Sequence, residues 1–310
     1  MRKILAILSA TLMGLLGCGG DEKANFKVSG QQFIAVDFSK DGSILAGIGK
    51  DGAINFWDPI KQKQILVVSA GDKRPTTLAF NPDGKTLALG HLDGNIRLIK
   101  TDDGEELQTV KTGNGQIKSM SFSGDGKYIA LARKSSLEIL PSSSFKKSQS
   151  FNCPSAIDAV TWAVDGKTVL AGCSDNNIYL FSLDGGKRLA LKGHKKAVSA
   201  VCYSREGKML ASADRSGRIR IWPNPEKSQD SKEINAHAGA VTSISISPDG
   251  ETIASSGTDN LVKTWDSKSG ENLQIFKGHK NDVRGVAFAP DGKTVGSAGL
   301  DGTIKLWEIK

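Results

Sequence analysis

Seven times along this chain, an acidic residue and a glycine follow an aromatic or large aliphatic side chain at the same distance. The occurrences are Phe38…Asp41-Gly42, Phe80…Asp83-Gly84, Phe122…Asp125-Gly126, Trp162…Asp165-Gly166, Tyr203…Glu206-Gly207, Ile246…Asp249-Gly250 and Phe288…Asp291-Gly292. Successive glycines are 42, 42, 40, 41, 43 and 42 residues apart. Such a period marks one supersecondary unit repeated, each copy burying its apolar faces against its neighbours. The 310 residues are therefore expected to form one repeat domain rather than two independent ones.

Each unit reads as short strands. Val283-Arg284-Gly285-Val286-Ala287-Phe288 alternates with the period of two expected of a strand. Pro290-Asp291-Gly292 follows as a turn, in which Pro presets φ and Gly accepts a positive φ. Strands are expected at Thr294 to Gly299 and Thr303 to Glu308, separated by a second turn at Asp301-Gly302; one more, Asn272 to Lys277, lies between units. Four strands per unit predict a small antiparallel sheet, and seven such sheets in a ring leave few exposed edges. The predicted fold is all-β: a seven-bladed propeller of four-stranded antiparallel blades. The 35 Gly against nine Pro suit a chain of tight turns.

The last unit stops at Lys310, after its third strand. Asn25-Phe26-Lys27-Val28 stands before the first unit as Leu273 to Lys277 stands before the last. The N-terminal segment is thus predicted to supply the missing outer strand and close the ring.

The third strands end at aligned positions: Trp57, Ile99, Leu140, Phe181, Trp222, Trp265 and Trp307. Trp57-Asp58, Trp265-Asp266 and Trp307-Glu308, with Gly193-His194, Gly278-His279 and Ala236-His237, carry a resemblance to the WD-repeat family over residues 24–310. The resemblance implies a structural network of His, Ser or Thr, Asp and Trp in a blade. Residue by residue it assigns His279, Ser297, Asp301 and Trp307 to blade 7, and His237, Ser255, Asp259 and Trp265 to blade 6. Blade 5 keeps His194, Ser212 and Trp222 but has Ser216 where the Asp is expected. Blades 1 to 4 have Ser29, Gly71, Gly113 and Cys153 in place of the His, and blade 3 has Lys134 or Ser135 in place of the Asp. The N-terminal half is accordingly expected to depend more on apolar packing and to be the looser half.

The first residues read differently. Arg2 and Lys3 precede an apolar run from Ile4 to Leu16, too short to span a bilayer and suited to a signal-peptide core. Leu15-Leu16-Gly17-Cys18 resembles the bacterial lipobox. Residues 1–17 are expected to be a lipoprotein-type signal, Cys18 the lipidated (palmitate-type) residue, and 18–23 a tether. The expected location is the bacterial cell envelope, on the periplasmic or extracellular side of a membrane. Cys153, Cys173 and Cys202 match no metal-ligand spacing. One disulfide among them would be open to an oxidising compartment, but buried free thiols are the expectation.

No residues read as catalytic or metal-binding, and no cofactor is implied. His194, His237 and His279 are spaced by whole blades, and His91 reads as a solitary loop residue beside Asp93, whereas a metal or nucleophile site needs groups converging on one point. Despite a net charge of +8, the basic residues form no clustered run, which disfavours nucleic acid. Surface recognition remains. The resemblance places partner contacts at Gln32, Lys50, Arg74, Thr76, Lys118, Asp158, Ser199, Arg215, Thr242, Thr258, Asp282 and Arg284. Five of these are basic and two acidic, which favours an acidic protein segment or an anionic glycan. The expected function is a non-catalytic, membrane-anchored, protein-binding scaffold built on a monomeric propeller. The alternatives are a carbohydrate or anionic-ligand binding module, or a propeller hydrolase or lyase using the central channel. The Val, Ala, Ile, Ser and Thr of the inner strands disfavour the last.

Overall fold

A computed structural model describes residues 22–69, 74–185, 189–205, 209–227 and 229–310. Cys18 and the apolar run before it, Gly71 and the Glu206-Gly207 turn lie outside the described residues. Within them the chain forms 28 strands and no helix, arranged as seven four-stranded antiparallel sheets. The strands Asn272–Lys277, Val283–Phe288, Thr294–Gly299 and Thr303–Glu308 have the bounds that periodicity and turn residues predict.

Six blades are consecutive in the chain. The seventh combines the last three strands with Glu22–Lys27 on its outer edge. That strand runs antiparallel to Thr303–Glu308, with Phe26 opposite Ile304 and Lys27 opposite Thr303. It begins three residues earlier than predicted and ends at Lys27: Val28 still donates to the Gly302 carbonyl, and a turn follows in which Gln31 N–H donates to the Val28 carbonyl and Gly30 has φ +79°. Three contacts fasten the seam. The buried Lys305 ammonium lies 2.6 Å from Glu22 Oε2, Lys23 Nζ donates to Thr294 Oγ1 at 3.2 Å, and Phe26 stacks on Trp57 of blade 1 at 5.5 Å. Ring closure thus satisfies two sheet edges that would otherwise be exposed templates for aggregation.

Blades are joined mainly by apolar packing. Val262 and Phe276 of blade 6 meet Val283, Val286, Phe288 and Val295 of blade 7, with Trp307 in the same cluster. All seven aligned residues near the ends of the third strands are buried; burying side chains of that size is worth roughly 1.5–3 kcal/mol each. Hydroxyls on the inner strands add polar stitches across the joints. Thr76 Oγ1 reaches the Ile117 carbonyl at 2.5 Å, Ser199 Oγ the Val241 carbonyl at 2.6 Å, and Thr242 Oγ1 the Val283 carbonyl at 2.5 Å.

The recurrent turn shows why its residue types recur. In the last blade Gly292 has φ +68° and donates to the Ala289 carbonyl at 3.0 Å. The Asp291 carboxylate accepts the N–H groups of Lys293 and Thr294 at 2.8 and 3.0 Å. Aspartate supplies the local acceptor and glycine the left-handed backbone. These turns lie at the face where the N-terminal strand begins; the second turn of each blade lies at the opposite face, beside the start of the inner strands.

Candidate functional site

Two features of that opposite face merit attention: the clasps that fix its loops, and the channel mouth they surround. In blade 6, His237 Nε2 is 2.8 Å from Ser255 Oγ and Nδ1 is 2.8 Å from Asp259 Oδ1, while Trp265 Nε1 donates to the same Ser255 Oγ at 2.8 Å. Blade 7 repeats this with His279, Ser297, Asp301 and Trp307 at 2.7, 3.1 and 2.8 Å. The carboxylate also accepts the N–H of the residue after the histidine, Ala238 at 3.2 Å and Lys280 at 2.8 Å. Each network therefore ties the loop entering the blade to the turn between its second and third strands.

The order Asp–His–Ser is that of a nucleophilic triad, but the arrangement cannot act as one. Ser212, Ser255 and Ser297 are fully buried, so no substrate carbonyl can approach. Each Oγ is also held by a tryptophan N–H. The chemistry available is tautomer fixation: Nδ1–H goes to the carboxylate, which leaves Nε2 to accept from the serine hydroxyl. Burial, opposed by the Asp259 partner, lowers the pKa of His237. Burial pulls Asp214, Asp259 and Asp301 upward, yet the hydrogen bonds from histidine and backbone outweigh it and hold all three below the usual carboxylate range.

Blade 5 departs from the sequence expectation. Ser216 does not replace the missing carboxylate. Asp214, two residues earlier, provides it, with Oδ2 3.0 Å from His194 Nδ1. Its Oδ1 accepts from Ser216 N–H at 2.9 Å and Ser216 Oγ at 2.7 Å. His194 Nε2 keeps its bond to Ser212 Oγ at 2.6 Å, and Trp222 Nε1 donates to that oxygen at 2.8 Å. The corresponding positions in blades 6 and 7 are Gly257 and Gly299. A Cβ there would stand only 2.5 and 2.4 Å from the histidine Nδ1, so in those blades the carboxylate must come from further along the turn.

In the sequence, positions twenty residues apart align with this joint: Ser29 and Gly49, Gly113 and Arg133, Cys153 and Cys173, His194 and Asp214, His237 and Gly257, His279 and Gly299, with His91 at the second position of blade 2. Blades 1 and 3 hold this region with polar contacts as well as apolar packing. In blade 3 the Arg133 guanidinium lies over Gly113 and donates to the carbonyls of Gly115 and Gly94 and to Thr112 Oγ1, at 2.9, 3.3 and 2.8 Å. In blade 1 Gln31 donates to Asp51 at 3.1 Å and accepts from Asn55 at 2.9 Å, and Asn55 accepts from Gln64 at 2.8 Å. His91 is not a loop residue: it ends the strand Thr86–His91 and is fully buried. Sequence reasoning missed Asp214, Arg133 and Gln31 as joint residues; the constant twenty-residue offset is the signal that would have found the first two.

The inner strands line a central cavity of about 240 Å³, and every blade contributes to its wall, among others through Ile34, Thr76, Lys118, Asp158, Ser199, Thr242 and Arg284. Thr76, Ser199 and Thr242 belong to the stitches between blades. Asp158 is held by Arg215 at 3.1 Å and Ser174 at 3.0 Å, and Arg284 pairs with Asp282 at 2.9 Å. Lys50, Arg74, Lys118, Arg215 and Arg284 are exposed, while Gln32, Thr258 and Asp282 are half-buried. Further along the first inner strand, Asp37 accepts from the Phe38 N–H at 2.9 Å. Burial pushes its carboxyl up to about 6, against the backbone N–H groups of Phe38 and Phe80 and the charge of Arg205. Among the described residues, no group of three or more His, Cys, Asp or Glu side chains could hold a metal ion.

The sequence profile "WD domain, G-beta repeat" matches residues 23–58, 145–182, 186–223, 228–266 and 270–308, more than half of the chain. The chain belongs to the WD40-repeat family. A second profile, "Anaphase-promoting complex subunit 4 WD40 domain", matches residues 60–125, within the region the first leaves open. This WD40 propeller is similar over 152 residues to the nuclear distribution protein PAC1 of Candida albicans, at 28% identity, covering 47% of this chain and 30% of that one. It is 40% identical over 63 residues to the 66 kDa stress protein of Physarum polycephalum, covering 19% and 10%. It is also 38% identical over 90 residues to periodic tryptophan protein 2 of Saccharomyces cerevisiae, covering 28% and 9%. The chain spans less than a third of the length of each of these relatives. Membership of the family is consistent with a protein-interaction role.

Proposed function

We propose that this WD40 propeller is a non-catalytic scaffold that binds an acidic segment of a partner protein at the channel-mouth face, and that Cys18 tethers it to a membrane of the cell envelope. The observation that carries the binding reading is the exposure of Lys50, Arg74, Lys118, Arg215 and Arg284 on a face whose loops are fixed by the clasps. Rigid loops reduce the ordering cost of association, and like-signed charge steers an oppositely charged partner. Asp158 and Asp282 pair with Arg215 and Arg284, so those two cations are largely offset and the basic bias rests on Lys50, Arg74 and Lys118.

The anchoring reading rests on the apolar run Ile4 to Leu16 and the lipobox-like Leu15-Leu16-Gly17-Cys18; chain direction sets which face an anchor would bring toward the bilayer. The described N-terminal strand begins at Glu22, at the face opposite the basic residues. A short tether from Cys18 would hold that face toward the bilayer and leave the channel mouth outward; the three residues between Cys18 and Glu22 reach at most about 15 Å with their flanks.

Pull-down with the full chain from envelope extracts, run beside saturation binding of purified wall polysaccharide, tests the binding reading. Recovery of an acidic protein, weakened by salt, is expected. Saturable polysaccharide binding without a protein partner would overturn it in favour of a glycan-binding module. Membrane fractionation of a Cys18→Ala variant tests the anchor: release into the soluble fraction is expected, and unchanged membrane retention would contradict it.

A further inference from the structure

Blade 4 places cysteines at both positions of the joint, Cys153 and Cys173. Their places in blade 5 are taken by His194 and Asp214, whose side chains meet at 3.0 Å. In blade 6 the geometry is sharper: a Cβ at Gly257 would lie 2.7 Å from Cγ of His237. Cγ of histidine and Sγ of cysteine are both one bond beyond Cβ. The spacing is therefore close to the roughly 3 Å that separates one sulfur from the other residue's Cβ in a disulfide.

The backbone on both sides is fixed. Cys153 N–H donates to the Ser135 carbonyl at 2.8 Å and Cys173 N–H to the Asn177 carbonyl at 3.0 Å. Both side chains are buried in one apolar cluster with Leu137, Ile157 and Tyr179. Both are free thiols here, as is the half-buried Cys202. The neighbouring Cys153 thiol and burial together push the Cys173 thiol far up. A thiol so protonated is a poor nucleophile in the closed blade, so oxidation belongs to the folding chain, before the joint is sealed.

We infer that Cys153 and Cys173 are a disulfide-forming pair that replaces the His–Asp clasp of the later blades with a covalent one. The two thiols lose two protons and two electrons as one S–S bond forms. The electrons pass to a disulfide oxidant, an oxidoreductase or a low-molecular-weight disulfide, which is reduced to two thiols through a mixed-disulfide intermediate. The inference does not depend on what the channel-mouth face binds.

The test is refolding of the full chain in oxidised and reduced glutathione beside refolding in dithiothreitol, with alkylation in denaturant and peptide mapping. The oxidised sample is expected to lose the mass of two hydrogen atoms and to yield a peptide joining Cys153 to Cys173. Its Tm should rise by roughly 5 °C over the reduced sample, because the bond closes a loop of about twenty residues. A Cys18→Ser, Cys202→Ser variant should form the same link at the same yield. Full alkylation of Cys153 and Cys173 in the oxidised sample, glutathione left on either one, or a link that uses Cys202 would each overturn the inference.

Discussion

His194 Nδ1 lies 3.0 Å from a carboxylate oxygen of Asp214, a residue whose counterparts in the next two blades are Gly257 and Gly299. The fifth blade therefore closes the same joint from a neighbouring position on the turn. The relation separates what the joint requires, a carboxylate facing the histidine, from the residue that happens to supply it. Asp214→Asn is expected to destabilise the propeller by about 1–3 kcal/mol, the cost of an unmatched buried acceptor and donor. Asp214→Gly combined with Ser216→Asp recreates the pattern of blade 6 and should recover much of that loss. Urea denaturation read through tryptophan fluorescence would show both; no recovery would mean the joint depends on more than carboxylate placement.

Acid should loosen the clasps together. Asp214, Asp259 and Asp301 all have folded pKa values below the ordinary 3.8. Their stabilisation is complete well above that value and is lost as pH falls below it through the folded values. The urea midpoint is expected to decline as pH drops from about 4 toward 2. A variant with all three as asparagine should show a flatter decline; an unchanged slope would remove these carboxylates from the explanation.

Asp37 has the opposite sign. Burial pushes its carboxyl up to about 6, so the folded state holds the proton more tightly than the unfolded one. Its contribution to stability should fall as pH rises from about 4 to about 6 and stay level above that. Asp37→Asn is expected to abolish this segment of the pH profile and to leave the protein more stable at pH 8. Direct titration of the carboxyl by NMR, with a midpoint near an ordinary aspartate, would contradict the assignment.

Arg133 holds the third joint through two carbonyls and a hydroxyl. Arg133→Met keeps much of the volume but strands those acceptors, and a loss of about 2–4 kcal/mol is expected. Hydrogen exchange should quicken first around Gly94 to Gly115, not uniformly. Uniform acceleration would point to general unfolding instead of a local joint.

Much of the architecture was legible because it is periodic. The turns at Asp291-Gly292 and Asp301-Gly302, the strand Thr303–Glu308 and the outer-strand role of Phe26 follow from spacing and local backbone chemistry. The three histidine positions came from the resemblance to the WD-repeat family. The carboxylate of blade 5 was not legible from an alignment that looked only at Ser216, because a two-residue shift along a turn keeps the side chain within reach of the histidine. Arg133 was hidden for a related reason. Its long side chain crosses from the strand end to the loop, and no histidine in the sequence signals that a partner is needed there. His91 looked like a loop residue beside Asp93, yet it is the last residue of the strand Thr86–His91, the place Gly257 and Gly299 take in blades 6 and 7, and it is buried. The channel-mouth positions divide in the same way. Thr76, Ser199 and Thr242 were expected as partner contacts, but their hydroxyls serve the adjacent blade, which only the three-dimensional register reveals.

Site-specific photo-crosslinking in intact cells tests most directly whether partners dock at the channel mouth. A crosslinker placed at Lys50 or Arg215 would report on that face. One at Ile60, a highly exposed residue in the turn next to Gln62, whose side chain reaches the Lys23 carbonyl, would report on the opposite face. Adducts of one protein at Lys50 and Arg215, reduced by charge reversal at Lys118 and Arg284 and absent at Ile60, are the expected result. Adducts confined to Ile60, or insensitive to the charge reversal, would contradict it.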